Sequence, residues 1–403
     1  MRYLIIGAGP AGLIAAKTLR ENDDGAEIII LSKEEVKPYS RVLLPYLLAG
    51  EIKEEEIYLE VPEGVKVLTG KEVVRVDPQR REVSLSTGEV LPFDRLLIAS
   101  GASPVKPEIE GGDLPFVFTV RDLSDILEMR KKVRRGGRAI IGGGGLISMR
   151  IGEALHKLGM KVTFVVSSDR VLSRILDLPA SALVARRLAE NGLEVITGEE
   201  IEGIEEGRVH LRSGESRVCD LVVFGKGVRP NVDFLRGSGI KTSRGVVVDK
   251  HQETNVEGIY AAGDVAETMD IAYGDRRVNA LWPTAVEQGR IAALNMASKP
   301  TVYEGSIARN TLEVFGLPIF TAGMGREEGP QVLREQGEGF YHKIVLQDGM
   351  LKGAIFIGGI KNEGLYLFLM RNRVDVSPFA TALLRNAFSY PRYLHWIALR
   401  PGW

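Results

Sequence analysis

The feature that most constrains this chain is a gapless internal repeat. RYLIIGAGPAGLIAAKTL (2–19) lies over RAIIGGGGLISMRIGEAL (138–155), with Gly7 matching Gly143, Gly9 matching Gly145 and Leu19 matching Leu155. In each copy a short apolar run enters a glycine cluster and a helix-compatible stretch follows. A second apolar run comes next, EIIIL (27–31) or KVTFVV (161–166). Strand, tight turn, helix, strand is the parallel unit of a doubly wound α/β sheet, so the repeat predicts two such sheets. DRLLIAS (94–100) and CDLVVFG (219–225) give each unit one more short buried strand, and IYAAGDVA (259–266) reads as a strand closing on Gly-Asp.

Between the copies, residues 70–91 alternate apolar and polar around Asp77-Pro78 and Thr87-Gly88, which predicts a strand-turn-strand insertion. After Lys299-Pro300 the texture changes. FYHKIVL and MLKGAIFI flank Asp348-Gly349 as a hairpin. KNEGLYLFLMRNR and SPFATALLRNAF follow as amphipathic helices, so the last hundred residues predict a separate α+β domain.

Composition removes several function classes. With 52 basic against 53 acidic residues, no bulk field favours nucleic acid or an anionic membrane. A single cysteine excludes an intrachain disulfide, a C-x-x-C pair and a cysteine-built zinc site, and points to a reducing, cytoplasmic setting. Five scattered histidines make no ligand-spaced cluster, so no metal site is expected. No apolar run reaches the roughly 18 residues of a membrane span, and Leu4 to Ile6 runs into a glycine turn instead of a signal-peptide core.

GAGPAG (7–12) follows a strand and opens a helix, the setting that gives a glycine motif chemical meaning. Gly7 permits the sharp turn, Gly9 lets a pyrophosphate approach the backbone, and Gly12 lets helix and strand pack closely. Pro10 opens the helix without an N–H of its own, and the first-turn amides from Ala11 on then face the diphosphate. A glycine-rich turn without a ligand is the bland alternative.

With RLLIASGA (95–102), GGGLIS (143–148), GKGVRP (225–230), YAAGDVA (260–266) and LWPTAVEQGRIAALNM (281–296) in that order, essentially the whole chain resembles the two-nucleotide flavoprotein oxidoreductases. PYSRVLLPYLLAGE (38–51) is most similar to NAD(P)H:rubredoxin reductases and to the flavin domain of assimilatory nitrite reductases. The resemblance implies two Rossmann-like dinucleotide-binding domains plus a C-terminal α+β interface domain. FAD would bind residues 1–104 and 227–300, NAD(P)H the inserted residues 105–226, and residues 301–403 would form the interface domain.

The resemblance also implies site residues. For FAD these are the first glycine loop, Ser32, Lys33 and Glu34 after the second strand, Arg41, Val73 and Val74 beside adenine, and Ala99, Ser100 and Gly101. Gly227, Gly263 and Asp264 would follow, Asp264 accepting from a ribitol hydroxyl. Trp282 and Ala285 belong to a helix whose positive end would favour charge on the reduced ring. Arg41 as a surface arginine and Val73 and Val74 as core are the plainer readings. For the coenzyme the implied residues are Gly143, Gly145, Leu146, Ile147, Arg150, Val166 and Arg170.

Two of these depart from the family pattern. Arg150 stands where a glutamate is usual near the nicotinamide. Val166, followed by Ser167, Ser168 and Arg170, stands where an acid usually receives the adenosine ribose, which opens the site to NADPH as well as NADH. The implied reaction passes hydride from NAD(P)H to FAD and single electrons to a small iron-sulfur or rubredoxin-type protein. No side chain is needed as nucleophile or base, so no catalytic residue is named.

The stretch holding Leu43 and Leu44 lacks the flavin-side cysteine of related disulfide reductases, and Cys219 is expected to be a buried small hydrophobe. A hydrogen-peroxide-forming NADH oxidase, and a flavin-carrying docking or relay subunit with a degenerate nicotinamide site, are the alternatives. Phe356, Tyr366 and Phe368 with Arg371 and Arg373 are expected to offer the partner an apolar patch, core packing or a homodimer seam through the C-terminal domain being the plainer readings of any one of these aromatics.

Overall fold

The computed structural model describes residues 1–329 and 331–398. The chain begins with β1 (Arg2–Ile6), α1 (Pro10–Asn22), β2 (Glu27–Leu31), α2 (Leu44–Ala49), β3 (Val65–Leu68) and β4 (Arg95–Ile98). Next come β5 (Val117–Thr119), α3 (Leu123–Lys132), β6 (Arg138–Gly142), α4 (Leu146–Lys157), β7 (Lys161–Val166), α5 (Leu178–Glu190), β8 (Glu194–Thr197) and β9 (Leu221–Phe224). The chain then returns with β10 (Ile259–Ala261) and α6 (Trp282–Met296).

Two parallel five-stranded sheets result, ordered β10-β4-β1-β2-β3 and β5-β9-β6-β7-β8. Four strands follow one order in both, β4-β1-β2-β3 and β9-β6-β7-β8, so the repeat seen in the sequence is a repeat of topology, while the outer strand comes after its unit in the first sheet (β10) and before it in the second (β5). In each sheet the order reverses beside the first strand of the copy, and a glycine loop leaves that strand at the reversal. That is the crevice where open α/β sheets bind ligands.

Both faces of the first sheet are covered, which is why its strands read as continuous apolar runs. Leu4, Ile6, Leu96 and Ile98 belong to one buried cluster, Tyr3, Ile5 and Leu97 to the other, as strand alternation requires. α1 and α6 pack so closely on the second face that a Cβ at Gly289 would lie 2.4 Å from the Ala11 carbonyl oxygen. The 70–91 insertion is a three-stranded antiparallel sheet that also takes in Val90–Pro92. Strands 102–104 and 228–230 pair antiparallel where the chain passes between the two sheets.

The C-terminal part is an antiparallel sheet of β11 (Arg309–Val314), β12 (Leu317–Gly323), β13 (Gln331–Gly337), β14 (Phe340–Gln347) and β15 (Met350–Ile357), ordered β11-β12-β15-β14-β13. The expected hairpin is β14–β15, and Asp348 (φ 51°) and Gly349 (φ 73°) both take the left-handed conformation of its tight turn. One face of this sheet, with Tyr341, Ile355 and Ile357, joins the core around α4 and α5. The other, with Ile344 and Phe356, packs under α7 (Glu363–Arg371) and α8 (Ala380–Leu384).

This placement corrects the expected aromatic patch. Phe356 and Tyr366 are fully buried and in edge contact with each other, and Phe368 is half-buried against Tyr390 and Tyr393. These rings build the core beneath the helices.

Candidate functional site

One cavity of about 1310 Å3 runs along the carboxyl ends of the first sheet, past α2 and α4, to β11 and α7. Of the residues singled out from the sequence, it is lined by Gly7, Gly9, Pro10, Ala11, Ser32, Lys33, Glu34, Arg41, Val73, Val74, Ala99, Ser100, Gly101, Leu146, Ile147, Arg150, Gly227, Gly263, Asp264, Trp282 and Ala285. The first glycine loop lines this cavity directly, whereas the second copy reaches it through Leu146, Ile147 and Arg150 of α4, and Gly143, Gly145, Val166 and Arg170 lie outside its lining.

The two loops have the same backbone. Gly7 and Gly143 have φ of 112° and 130°, a region open to glycine. Gly9 and Gly145 are extended N-caps at (−81°, −172°) and (−84°, −178°). No side chain caps α1 or α4, although α5 is capped by Asp177 and α3 by a reciprocal box of Asp122 and Asp125. The first-turn amides of the two loop helices are left for a ligand, and the helix dipole makes that ligand an anion.

Gly12 lies outside the cavity. A Cβ there would come within 2.0 Å of the Gly7 carbonyl oxygen, so it serves the packing of helix against turn. Gly143 and Gly145 sit at the second loop, against the Gly225 carbonyl. Val166 is buried, its methyls about 2.9 Å from where a Cβ of Gly144 would stand, so it covers the loop and offers no acceptor to a ribose. Arg170 is engaged within its own segment, Nη1 to Asp169 at 2.7 Å and Nε to the Leu176 carbonyl at 3.2 Å.

Arg41 is half-buried, paired with Glu34 and, at 3.0 Å, with Asp122 at the start of α3. Its Nε is buried without a partner. Tyr39 donates to Glu34 at 2.5 Å and accepts from the Leu123 amide at 2.9 Å, fixing the carboxylate from the other side. Burial, with the neighbouring Glu34 charge, holds the Tyr39 phenol well above its ordinary range, so it stays protonated as that donor.

Arg150 lies over the Tyr46 ring at 5.8 Å and is 3.6 Å from Glu153. It spans from α4 to α2, putting a guanidinium on the wall where an acid was the usual expectation.

Several groups on or behind the cavity wall carried no local sequence signal. Arg121 holds Asp264 at 3.1 Å from a segment 143 residues away, and its own amide is fixed by Asp125. Gln288 on α6 accepts from the Gly263 amide at 2.8 Å, setting the Gly-Asp turn. Asn231 donates to the Ser100 carbonyl at 2.9 Å and accepts from Ser103 at 2.7 Å, tying the crossing strands together. Arg309, Asn310, Thr311, Glu363 and Leu367 close the far end of the cavity from the C-terminal part. Only the downstream spacing of each could have flagged them, and spacing does not encode a contact across domains.

The sole thiol is remote from this chemistry. Cys219 lies two residues before β9 in an apolar cluster, and burial, with Asp220 beside it, pushes its thiol up to about 11.

Residues 1–289 match the family model described as pyridine nucleotide-disulphide oxidoreductase, and residues 309–374 match the rubredoxin NAD+ reductase C-terminal domain. The chain belongs to the pyridine nucleotide-disulphide oxidoreductase family. It is similar to the NADH-dependent phenylglyoxylate dehydrogenase subunit epsilon of Aromatoleum evansii, at 29% identity over 97% of this chain and 96% of that one. It is 31% identical to the biphenyl dioxygenase system ferredoxin–NAD(+) reductase component of Paraburkholderia xenovorans over 93% of this chain and 94% of that one. It spans about half the length of two Bacillus subtilis relatives, the assimilatory nitrate reductase electron transfer subunit (52%) and nitrite reductase [NAD(P)H] (48%). Its fold matches the covalent putidaredoxin reductase–putidaredoxin complex with a TM-score of 0.90, at 23% identity and over 99% of both chains.

FAD and NAD(P)H, the family's cofactor and cosubstrate, fit this chain. A Cβ at Gly9 would meet no atom within 4 Å, so the space beside the α1 amides is kept open by the absence of a side chain. The orphan Nε of Arg41 on the cavity wall is a further donor for a polyanion. Bound there, FAD supplies two-electron chemistry with NAD(P)H and one-electron chemistry with an acceptor. The residues that would hold it are the α1 amides and Arg41, as donors to an anion, with Asp264 held by Arg121 on the cavity wall and the N-terminus of α6 at Trp282 offering its positive end. The single buried cysteine leaves no disulfide relay.

Proposed function

We propose that this chain is an NAD(P)H-dependent FAD oxidoreductase that takes hydride from NAD(P)H and passes electrons singly to a small iron-sulfur or rubredoxin-type protein. Residues 1–104 and 227–300 bind FAD, residues 105–226 bind NAD(P)H, and residues 301–403, the last of which lie outside the described residues, form the interface domain. The observation carrying this reading is the continuous cavity, which starts at the uncapped α1 and reaches β11 and α7 past Arg150 without meeting a thiol. Electrons leave a thiol-free ring through its edge, and Arg309, Thr311, Glu363 and Leu367 border that end. The single cysteine supports placement in the cytoplasm.

Anaerobic titration with NADH and then NADPH is expected to bleach the flavin. Stopped-flow reoxidation is expected to be faster with a rubredoxin or ferredoxin than with oxygen, and the reverse order would make the chain a hydrogen-peroxide-forming oxidase. Raising salt is expected to slow transfer to an acidic acceptor while leaving flavin reduction nearly unchanged. The relay-subunit reading draws on Arg150 and on the buried Val166, and it requires that neither coenzyme bleach the flavin.

A further inference from the structure

We propose that Lys343, Tyr341 and Asp177 form a buried joint through which the C-terminal sheet sets the position of the loop that receives the coenzyme. The inference rests on the functional reading above for the identity of that coenzyme.

Lys343 on β14 is completely buried. Its ammonium lies 3.0 Å from Asp177 Oδ2 and 3.2 Å from Glu328 Oε1. Tyr341, two residues earlier and on the same face of the strand, donates to the same Oδ2 at 2.7 Å. The other oxygen, Oδ1, accepts from the Ala180 amide at 3.3 Å and caps α5. Every polar atom of the Asp177 side chain is thus claimed, half by the C-terminal sheet and half by the coenzyme domain.

Asp177 ends the segment 167–177, which begins directly after Val166. That segment is fastened to the coenzyme glycine loop, because the Leu172 amide donates to the Gly144 carbonyl at 2.7 Å with Leu172 in a left-handed conformation (φ 51°). Ser181 Oγ holds the Val171 carbonyl at 2.8 Å, and Arg326, from beyond β12, reaches the Ser173 carbonyl at 3.4 Å. One short segment therefore bears on the loop that faces the coenzyme diphosphate and on the C-terminal sheet.

Stability is a weak reason for such a pair. Apolar groups of the same volume usually serve a core as well as a buried ion pair does. What the pair fixes is geometry, since two donors on one strand face leave the carboxylate a single position. Lys343 and Asp177 are positioning residues that act on the coenzyme through the segment 167–177.

The test is Lys343→Met with Asp177→Asn, which removes both charges together, and Tyr341→Phe alone, which removes one hydroxyl. Each is purified as FAD-loaded full chain, and KM and kcat for NADH and NADPH are measured together with the Kd of NAD+ and NADP+. The expected result is a KM and Kd raised about two- to thirty-fold, with kcat and FAD content unchanged. Unchanged KM and Kd in folded, FAD-loaded Tyr341→Phe would overturn the joint even where the double variant fails to fold. Wild-type protein that binds the nucleotides without bleaching would overturn the functional reading and leave the joint tested by Kd. Wild-type protein that binds neither nucleotide would overturn both.

Discussion

Gly9 and Gly12 stand three residues apart in one loop, and the structure gives them opposite reasons for being glycine. Gly9 is extended, a conformation open to any residue, and a Cβ there would meet nothing within 4 Å. The protein itself does not need a glycine at that position. Gly9→Val should leave the apoprotein within about 1 kcal/mol of the parent, because the freedom lost by the unfolded chain offsets the poorer N-cap. Its side chain would occupy the space beside the α1 amides and push a diphosphate off them. Losing two hydrogen bonds to a charged group, at about 1.5–3 kcal/mol each, gives about 3–6 kcal/mol, or roughly a 10²- to 10⁴-fold weaker Kd for FAD. Gly12→Ala should behave in reverse. Its Cβ would fall 2.0 Å from the Gly7 carbonyl oxygen and 3.2 Å from Ile5 Cγ2, an overpacking of about 1–3 kcal/mol or more that destabilises the fold before any ligand is considered. Thermal unfolding of the apoproteins and calorimetric titration with FAD separate the two effects. Full flavin content in Gly9→Val, or an apoprotein as destabilised as that of Gly12→Ala, would refute the assignment of this loop to the diphosphate.

Cys219→Ser should keep flavin reduction and electron transfer while losing about 1–3 kcal/mol of stability through a hydroxyl in an apolar cluster; loss of bleaching in a folded, FAD-loaded variant would reject the thiol-free mechanism. Val166→Glu should move the NADH to NADPH preference about ten-fold or more toward NADH by giving the ribose an acceptor and repelling the extra phosphate, and an unchanged ratio of kcat/KM values would remove residue 166 from the ribose site. Burial lowers the pKa of His342 below its ordinary 6.5, with Nδ1 donating to the Leu384 carbonyl at 3.1 Å. A depressed pKa in the folded state means that its contribution is complete above pH 6.5 and is lost on acidification. The Tm of the parent should therefore fall more between pH 7 and pH 5 than that of His342→Gln, and parallel curves would contradict it.

The elements that were legible in the sequence are those whose signal is local. The repeat fixed the strand-loop-helix-strand order, and Asp348-Gly349 marked a hairpin because only such residues accept two successive positive φ values cheaply. The C-terminal aromatics follow the core reading and not the patch for a physical reason. β14 and β15 are apolar on both faces, since one covers α4 and α5 and the other lies under α7 and α8. A strand buried on both sides has no outward face to offer a partner. Arg121 was missed because its role depends on Asp264, 143 residues away, a contact made only when the second unit folds back against the first.

The two copies of the repeat also separate what a ligand demands from what packing demands, within a single chain. The positive φ at Gly7 and Gly143, the extended glycine at positions 9 and 145, and the missing side-chain cap recur in both. The third glycine does not. Ser148 stands where Gly12 would be matched, buried, with its hydroxyl 3.5 Å from the Gly225 carbonyl. Tight helix packing has moved to Gly152, where a Cβ would come within 2.3 Å of the Phe164 ring. The second copy thus keeps the turn, the extended glycine and the free amides, and moves the position that holds helix to strand. A coenzyme site that had lost its ligand would have no use for an uncapped helix and a side-chain-free approach at Gly145, since any side chain fits an extended backbone and a capping residue would stabilise α4 by about 1 kcal/mol. Retention of both at Gly145 supports the proposed reading, in which α4 receives a diphosphate and Arg150 and Val166 alter how the rest of the coenzyme is held, over the relay-subunit reading.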